Sequence, residues 1–354
     1  MKRIRVLIVD DSTLVRGHLR DILEADEGME VVGEARNGRE AVEMTRKLQP
    51  GVVTMDLEMP VMGGLEAIEE IMHSKAVPIL VVSASVSNAQ CALQAIGCGA
   101  IEVMVKPRLG SPEVADFVAK VRLLAGVSVV TRLRPRKTTV EACATAALSI
   151  GMTALTQSTT GPDTYPKVFA IACSTGGPQA LAQILSALPS GFSCPVLVAQ
   201  HIADGFASGM VDWLRGICRL PVRLAQQGEP LQAGVIHFSP SEKHLSVTPT
   251  RHMALLARSP RDVFHPSCDV LLSSVAEVFG PQAVGMILTG MSHDGAKGMA
   301  NIREKGGMTL AQDEATSVVF GMNRVAIESG CVRQVLPLKE LAPAMVQLAS
   351  RINR

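Results

Sequence analysis

Two groups of side chains in this 354-residue sequence have types and spacings that suit chemistry. In the first group, the polar residues lie at the ends of short apolar runs, and its members are Asp10, Asp11, Asp56, Ser83 and Lys106. Clustered carboxylates would repel one another unless a cation neutralised them, and oxygen ligands of this kind suit Mg²⁺. Asp56 could then attack a phosphoryl donor, as carboxylates do in aspartyl-phosphate chemistry. Ser83 and Lys106 could bind the transferred phosphoryl oxygens.

The second group comprises a serine, a histidine and an aspartate in the C-terminal half. Ser174 follows an apolar run and precedes Gly176 and Gly177, a pattern that predicts a sharp turn into a helix. His201 directly follows another apolar run, and Asp294 lies shortly after a third. Because a serine nucleophile needs a base and a carboxylate that orients the base, we predict that Ser174, His201 and Asp294 form a hydrolase triad.

Other assignments of the second group remain open at this point. Five histidines compete with His201 for the role of base: His237, His244, His252, His265 and His293. His201 is favoured by its position at the end of an apolar run. The glycine turn could instead bind a nucleotide phosphate, but it has neither G-x-G-x-x-G nor a Walker lysine. It also lacks the G-x-S-x-G elbow of α/β-hydrolases, which predicts a separate kind of serine hydrolase.

Residues 1–124 alternate short β-branched runs with amphipathic segments. Strands are predicted at Arg5–Val9, Glu30–Ala35, Val52–Met55, Pro78–Val82 and Ile101–Val105, and helices near 13–25, 38–48, 65–73, 87–97 and 112–124. This alternation predicts a parallel sheet with helices on both faces, and such sheets bind ligands at the carboxyl ends of their strands. A single aspartate after a strand is ordinarily a turn or a helix cap. The functional interpretation depends on all five polar groups of the first set lying at strand ends.

From Lys167 onward the alternation resumes. Strands are predicted at Val168–Ala172, Val196–Ala199, Val235–Phe238 and Val284–Leu288, and helices at Pro178–Leu188, Gly205–Leu214 and Asp269–Phe279. Residues 125–165 differ in composition, with a basic cluster followed by an Ala-, Thr- and Ser-rich stretch, and are predicted to be a linker with a helical piece at Val140–Leu148.

Composition limits the class of protein. The formal charge is +1, and there is one Trp and one Tyr, which argues against a nucleic-acid partner. The eight cysteines include no CxxC pair, which argues against a zinc site or a disulfide framework and favours a reducing, cytoplasmic location. No apolar run approaches the roughly 20 residues of a membrane span, so no membrane insertion is expected.

Residues 1–124 resemble a response-regulator receiver. The resemblance rests on the acidic pair Asp10-Asp11, the segment Met55-Asp-Leu-Glu-Met-Pro60 and the Lys106-Pro107 turn. It implies phosphorylation of Asp56 by a histidine kinase in the presence of Mg²⁺. It also implies that the main-chain carbonyl of Glu58 is a ligand of the magnesium, beside Asp10, Asp11 and Asp56. Val103 stands where many receivers carry an aromatic switch residue.

Residues 168–330 resemble the chemotaxis protein-glutamate methylesterase family (CheB). The motifs are Ser174-Thr-Gly-Gly-Pro178, Gln200-His201, Pro266-Ser-Cys-Asp269, Thr289-Gly-Met291 with Asp294-Gly295, and Gly306-Gly307 with 311–322. The resemblance implies that Ser174, His201 and Asp294 are the triad, that Thr175 helps to hold the histidine, and that the Met291 N–H is an oxyanion donor. It implies hydrolysis of methylated glutamates on the cytoplasmic helices of chemoreceptors, deamidation of certain receptor glutamines, and no cofactor for hydrolysis. Ser292 replaces the glycine that is usual after Met291.

The predicted fold class is therefore α/β, with two doubly wound parallel-sheet domains, receiver-like and then Rossmann-like. The predicted domains are a receiver at 1–124, a linker at 125–165 and a methylesterase catalytic domain at 166–354. The family likeness also implies that the unphosphorylated receiver lies across the hydrolase entrance. The alternatives are a regulator with another output, a phosphorylation-dependent binding protein, and an esterase that acts on a partner other than a chemoreceptor.

Overall fold

The computed structural model describes residues 3–83, 89–108, 110–111, 113–127, 129, 165–259 and 262–350. These residues form two parallel sheets, each covered by helices on both faces. This arrangement confirms the predicted class of two doubly wound α/β domains. The predicted helical piece at Val140–Leu148 lies outside the described residues.

The first sheet has the strand order β2-β1-β3-β4-β5 and is parallel throughout. Its strands are β1 (Ile4–Val9), β2 (Met29–Ala35), β3 (Val52–Met55), β4 (Ile79–Ser83) and β5 (Glu102–Val105). Its helices are α1 (Thr13–Glu24), α2 (Gly38–Leu48), α3 (Gly64–Ser74), α4 (Ala89–Cys98) and α5 (Glu113–Leu124). Buried residues of α1 and α5 pack on one face, and those of α2, α3 and α4 pack on the other. All ten predicted elements of this domain are present, with bounds that agree within two residues.

The second sheet has seven parallel strands in the order β14-β13-β12-β6-β7-β9-β8. Its strands are β6 (Val168–Cys173), β7 (Val196–Gln200), β8 (Val222–Leu224), β9 (Ile236–Phe238), β12 (Ala283–Ile287), β13 (Met308–Gln312) and β14 (Gln334–Leu336). An antiparallel hairpin, β10 (Lys243–Val247) and β11 (Met253–Ala257), stands apart from it. The helices are α6 (Gly177–Ser186), α7 (Phe206–Arg215), α8 (Cys268–Phe279), α9 (Ala296–Glu304), α10 (Met322–Glu328) and α11 (Leu338–Ser350).

The four strands and three helices predicted for this domain are confirmed, and the remaining elements were not predicted. The edge strands β8 and β14 have three residues each, too few for a periodic signal. Helices α6, α7 and α11 pack on one face of the sheet, while α8, α9, α10 and the hairpin pack on the other. Tyr165, the last residue of the predicted linker, is buried in this second core, with its ring centroid 6.2 Å from that of Phe279.

The two domains pack against each other through α4 and α7. The backbone of Gly97 on α4 lies against the ring of Trp213 on α7. Gln179 of α6 donates a hydrogen bond of 2.7 Å from Nε2 to the carbonyl oxygen of Ala100 in the first domain. Buried residues of these helices belong to one continuous hydrophobic cluster that includes both domains. Within the described part of the chain, no helix combines the length and the apolar character required to cross a bilayer.

Candidate functional sites

The acidic residues of the first domain meet at the switch point of the sheet, between β1 and β3. Asp10 follows β1 and Asp56 follows β3, and one oxygen from each of Asp10, Asp11 and Asp56 lies within 4.8 Å of the others. Lys106, directly after β5, places its Nζ 2.6 Å from Asp10 Oδ2 and 3.3 Å from Asp56 Oδ2. Open parallel sheets bind ligands at this kind of crevice.

The electrostatics of this pocket reflect burial and opposite charge. Burial raises the pKa of Asp56 above its usual range, and although Lys106 opposes this rise, the neighbouring Asp10 adds to it. Burial would lower the pKa of Lys106, but its hydrogen bond to Asp10 and the attraction of Asp56 raise that pKa overall. Ser83 is the buried last residue of β4, and its carbonyl oxygen accepts the Lys106 N–H at 2.8 Å. Ser83 therefore lies at the strand end beside Lys106.

The remaining predicted ligand, Glu58, lies in the exposed loop between β3 and α3. Val103 is buried within β5. The part that Glu58 plays as a ligand stays a prediction.

Ser174 lies at the switch point of the second sheet, between β6 and β12. The chain leaves β6 at Cys173, and the Ser174 N–H donates to the carbonyl oxygen of Thr289, just beyond β12, at 3.0 Å. The Gly177 N–H donates back to the Ser174 carbonyl oxygen at 2.7 Å, and Gly176 has a φ of +77°. This left-handed turn, with Pro178 in the first turn of α6, begins the helix immediately after the serine.

His201 and Asp294 are hydrogen-bonded to each other, as the triad prediction requires. His201 Nε2 lies 2.7 Å from Asp294 Oδ2, and Asp294 is only 3% exposed. Burial would raise the pKa of Asp294, but the hydrogen bond with His201 and backbone N–H donors lower it below its usual range. Asp294 is therefore held as a carboxylate, and Nδ1 remains as the ring nitrogen of His201 that can accept a proton from a serine. Among the described residues, the Ser174 hydroxyl makes no hydrogen bond.

The N-terminus of α8 binds the Asp294 carboxylate. The N–H groups of Cys268 and Asp269 donate to it at 2.6 and 2.9 Å, and the Ser267 hydroxyl donates at 3.2 Å. Ser267 is also the N-cap of α8 and accepts the Val270 N–H. A helix N-terminus stabilises a negative charge in this position.

Gln200 connects the backbones of Ser174 and His201. Its Nε2 donates to the carbonyl oxygen of Ser174 at 2.9 Å and to that of His201 at 2.8 Å. Its Oε1 accepts the Cys173 thiol at 3.0 Å, and the backbone of Gly177 packs closely against it. Cys173 and Gln200 are paired in the register of β6 and β7, so Ser174 and His201 each follow one member of this pair.

An aromatic ring and a second histidine hold the loop that covers His201. Phe264 stacks on the His201 ring at 5.3 Å between centroids, with planes 5° apart. His244, on β10 and 4% exposed, binds this loop at two points. Its Nδ1 accepts the Ser267 N–H at 2.8 Å, and its Nε2 lies 2.9 Å from Asp262 Oδ2.

The two supporting residues taken from the family likeness lie beside Ser174. The Thr175 carbonyl oxygen accepts the Thr289 hydroxyl at 2.9 Å, while the Thr175 hydroxyl has no hydrogen-bond partner among the described residues. Met291 is 54% exposed, and no acceptor for its N–H lies within the described residues. The Ser292 hydroxyl accepts the Asp294 N–H at 3.2 Å. The roles of Thr175 and Met291 stay predictions.

Sequence reasoning did not identify the contacts made by Gln200, Phe264, His244 and Asp269. Asp269 Oδ1 accepts the N–H groups of Gly295 and Gly298, which connects the start of α8 to the start of α9. The segments Gln200-His201 and Pro266-Ser-Cys-Asp269 were recognised as motifs, and that recognition was the only signal for them. Their partners are distant in sequence and become visible only once the chain is folded.

Known proteins match both halves of the chain. Residues 6–114 match the response regulator receiver domain and residues 169–345 match the CheB methylesterase family. Protein-glutamate methylesterase/protein-glutamine glutaminase 3 of Paramagnetospirillum magneticum is 55% identical over 98% of this chain and 96% of that protein. A second protein of this name, from Anaeromyxobacter dehalogenans, is 40% identical over 98% of this chain and 97% of its own length. The Thermotoga maritima CheB methylesterase catalytic domain is 32% identical, with a TM-score of 0.51, and covers 52% of this chain and 100% of that structure.

Fold and comparisons together define a two-domain protein in which a receiver domain precedes an α/β methylesterase domain. The chain belongs to the CheB methylesterase family. The family and the fold class predicted from the sequence are thereby confirmed.

Proposed function

We propose that this chain removes methyl esters from glutamate side chains of chemoreceptors, yielding glutamate and methanol, and deamidates receptor glutamines. The names of its relatives supply both activities. The observation that carries the proposal for this chain is the hydrogen bond between His201 and a buried Asp294, next to Ser174 at the switch point of the sheet.

In this mechanism, Ser174 Oγ attacks the ester carbonyl while Nδ1 of His201 takes the hydroxyl proton. Asp294 keeps the other ring nitrogen hydrogen-bonded and stabilises the imidazolium that forms. The N–H of Met291 stabilises the oxyanion. The C–O bond to methanol then breaks, and His201 returns the proton to the leaving oxygen. Water repeats the sequence on the acyl-serine and releases the glutamate carboxyl, and an amide substrate follows the same steps with ammonia leaving.

We propose further that phosphorylation of Asp56 by a histidine kinase switches this activity. Magnesium fits the pocket because Asp10, Asp11 and Asp56 supply clustered carboxylate oxygens, the ligands that this ion prefers. The backbone carbonyl of Glu58 is the fourth protein ligand in this proposal. When bound, the ion neutralises charge on the phosphoryl group. Lys106 pairs with that group, and Ser83 donates to it from the neighbouring strand end.

The packing between domains supports control of the hydrolase by the receiver. Helix α4 packs on α7, and Gln179 of the helix that follows Ser174 is hydrogen-bonded to Ala100. Val318, whose side chain lies against Gly176, also packs against the core of the first domain that contains α1 and α5. In the proposed division of the chain, a receiver at 1–124 and a catalytic domain at 166–354 meet at these contacts, on either side of a linker at 125–165.

The test is methanol release from a methylated chemoreceptor preparation by purified protein. Ser174→Ala should lower kcat by about 10⁴–10⁶-fold, because it removes the nucleophile of a cooperative triad. Ser186→Ala, at the far end of α6, is the matched control and should keep the wild-type rate. If Ser174→Ala retains more than a small fraction of the activity, Ser174 is not the nucleophile.

A further inference from the structure

Cys268 lies next to the proposed base. Its Sγ is 3.5 Å from His201 Nε2, the nitrogen that binds Asp294 Oδ2. One ligand atom from each of His201, Cys268 and Asp294 lies within 4.8 Å of the others. These donors come from separate segments of the chain, so the spacing of residues in the sequence could not reveal the cluster.

The geometry of this cluster is close to that of a tetrahedral metal site. With Zn–N and Zn–S bonds of about 2.0 and 2.3 Å, a tetrahedral ion places the nitrogen and sulfur about 3.5 Å apart. The observed separation between His201 Nε2 and Cys268 Sγ is 3.5 Å. The distance from His201 Nε2 to Asp294 Oδ2 is 2.7 Å, and it would have to open to about 3.3 Å to admit the ion.

From this cluster we propose that His201, Cys268 and Asp294 bind a thiophilic divalent cation of the Zn²⁺ class, which reversibly switches off the hydrolase. Thiolate, imidazole and carboxylate together favour zinc-like ions over Mg²⁺, which takes oxygen ligands. The proposed receiver site has carboxylates as its side-chain ligands and prefers Mg²⁺. The two sites would therefore select different metals.

The metal would inhibit the enzyme because it moves the proton of the His201 ring from Nε2 to Nδ1. Without the metal, the neutral His201 ring carries its proton on Nε2 and shares it with Asp294. A cation on Nε2 displaces that proton to Nδ1, and the thiol proton of Cys268 leaves to solvent. Nδ1 is then a donor and cannot accept the Ser174 proton, while Asp294 is occupied by the metal. Both functions proposed for His201 and Asp294 are lost together.

Burial limits the affinity and keeps the site reversible. Cys268 is fully buried, so a cation must leave water to reach its sulfur. The thiol must also lose its proton before it can bind the metal. We expect free chelator to restore the metal-free rate, and we expect no permanent metal in the purified chain.

The test of binding uses full-length protein in excess Mg²⁺, so that the receiver carboxylates are occupied. This protein is then titrated with Co²⁺ as the probe metal. Wild type should develop the charge-transfer absorption of a cobalt–thiolate bond. Cys268→Ala and Cys268→Ser should lose this absorption, and Cys331→Ala, which removes a buried thiol elsewhere in the domain, should keep it. Thermal melts confirm that each variant is folded, and the serine variant keeps the test valid if the alanine variant is not. An absent band in wild type, or an unchanged band in the folded Cys268 variants, would overturn the proposal.

The test of inhibition rests on the proposed function and is separate from the test of binding. Zn²⁺ alone should inhibit methanol release by wild type, and chelator should reverse the effect. Because outer-shell partners alone are worth about 10–100-fold in metal affinity, loss of the Cys268 ligand should raise the half-inhibiting zinc concentration by more than about 100-fold. Equal inhibition of wild type and Cys268→Ala would place the inhibitory metal elsewhere. A chain without esterase activity would contradict the proposed function and leave the cobalt result to decide on the site.

Discussion

Gly290 lies against the proposed nucleophile, and no larger residue fits there. A Cβ at this position would be 2.7 Å from the Ser174 Cβ and 2.4 Å from the Met322 Sδ. Met322 can rotate, but the Ser174 Cβ is fixed by the turn that follows β6. The two residues Ser174 and Gly290 therefore have to remain in close contact for the site to keep its shape.

Gly290→Ala should lower kcat by about 100-fold, the scale expected when a reacting group moves by about 1 Å. Overpacking should also cost about 1–3 kcal/mol of stability. Gly191→Ala is the control, since nothing lies within 4 Å of its Cβ position. The measurements are kcat for methanol release and the melting temperature. A fully active Gly290→Ala protein would show that Ser174 tolerates displacement.

The segment between β11 and α8 carries Phe264 over His201 and delivers the helix N-terminus that binds Asp294. His244 holds this segment at Ser267 and Asp262, and these two contacts do not involve the proposed triad. We therefore expect His244 to be a positioning residue, and its substitution should affect kcat more than KM.

His244→Ala should reduce kcat by about 10–100-fold, because Asp294 and the His201 ring lose part of their support. His244→Asn should recover part of the rate, since its amide oxygen can accept the Ser267 N–H where Nδ1 does. His252→Ala, on the turn of the same hairpin, serves as the control. A merely structural role would lower the melting temperature equally in the alanine and asparagine variants and would leave kcat per folded molecule unchanged.

Strand β9 contains a histidine that we expect to make the domain sensitive to acid. His237 is 1% exposed, and neither ring nitrogen has a hydrogen-bond partner among the described residues. Burial, with a contribution from Arg223, lowers its pKa to about 4. The unfolded chain, with a histidine pKa of about 6.5, binds the proton first, so stability is full above pH 6.5 and falls as the pH drops towards 4.

Replacing His237 with leucine should remove this component of the pH dependence. Between pH 6.5 and 4 the wild type should lose about 3 kcal/mol more than His237→Leu, from 1.36 kcal/mol per pKa unit. Urea midpoints of both proteins at several pH values measure the difference, and the partly exposed His252→Asn provides the reference. Parallel losses in wild type and His237→Leu would show that His237 is protonated without penalty.

The elements that sequence could predict are those with a strong local pattern. Strand β3 has its predicted bounds because a β-branched apolar run is bounded by a turn and an acid. Strand β8 was not predicted because three residues, one of them the exposed Arg223, carry no period. The same limit applies to the sites. Ser174, His201 and Asp294 follow apolar runs and could be chosen from position, whereas Gln200 and His244 matter through partners that only the fold brings near.

At the scale of the whole molecule, the contact between α4 and α7 makes the receiver a candidate inhibitor. A fragment that begins near Tyr165 should be soluble, because Tyr165 and one face of its sheet pack in a hydrophobic cluster made only of residues from this domain. This fragment should hydrolyse receptor methyl esters faster than the unphosphorylated full chain. A coupling of about 1–3 kcal/mol corresponds to a gain of about 5–150-fold. Many receivers carry an aromatic switch residue at the position of Val103. Because Val103 lacks that ring, we expect a gain at the low end of this range.

Initial rates per mole of enzyme on one receptor preparation provide the comparison. A small phosphodonor with Mg²⁺ should stimulate the full chain and leave both the fragment and Asp56→Asn unchanged. Gln179→Ala, which removes the hydrogen bond to Ala100, should raise the basal rate of the full chain in the same direction as truncation. A folded fragment that is equal to or slower than the full chain would mean that the receiver activates through positive contacts.

The pairing of Cys173 with Gln200 has a consequence for how the second domain can evolve. Ser174 and His201 are the next residues after this pair, and the His201 N–H donates to the Cys173 carbonyl oxygen at 2.9 Å. The separation between Ser174 and His201, the proposed nucleophile and base, is therefore set by the backbone hydrogen bonds between β6 and β7. Side chains along these strands can be substituted without altering the separation between Ser174 and His201. A single inserted residue in either strand would turn every later side chain to the opposite face. We therefore expect these two strands to tolerate substitutions but not insertions or deletions.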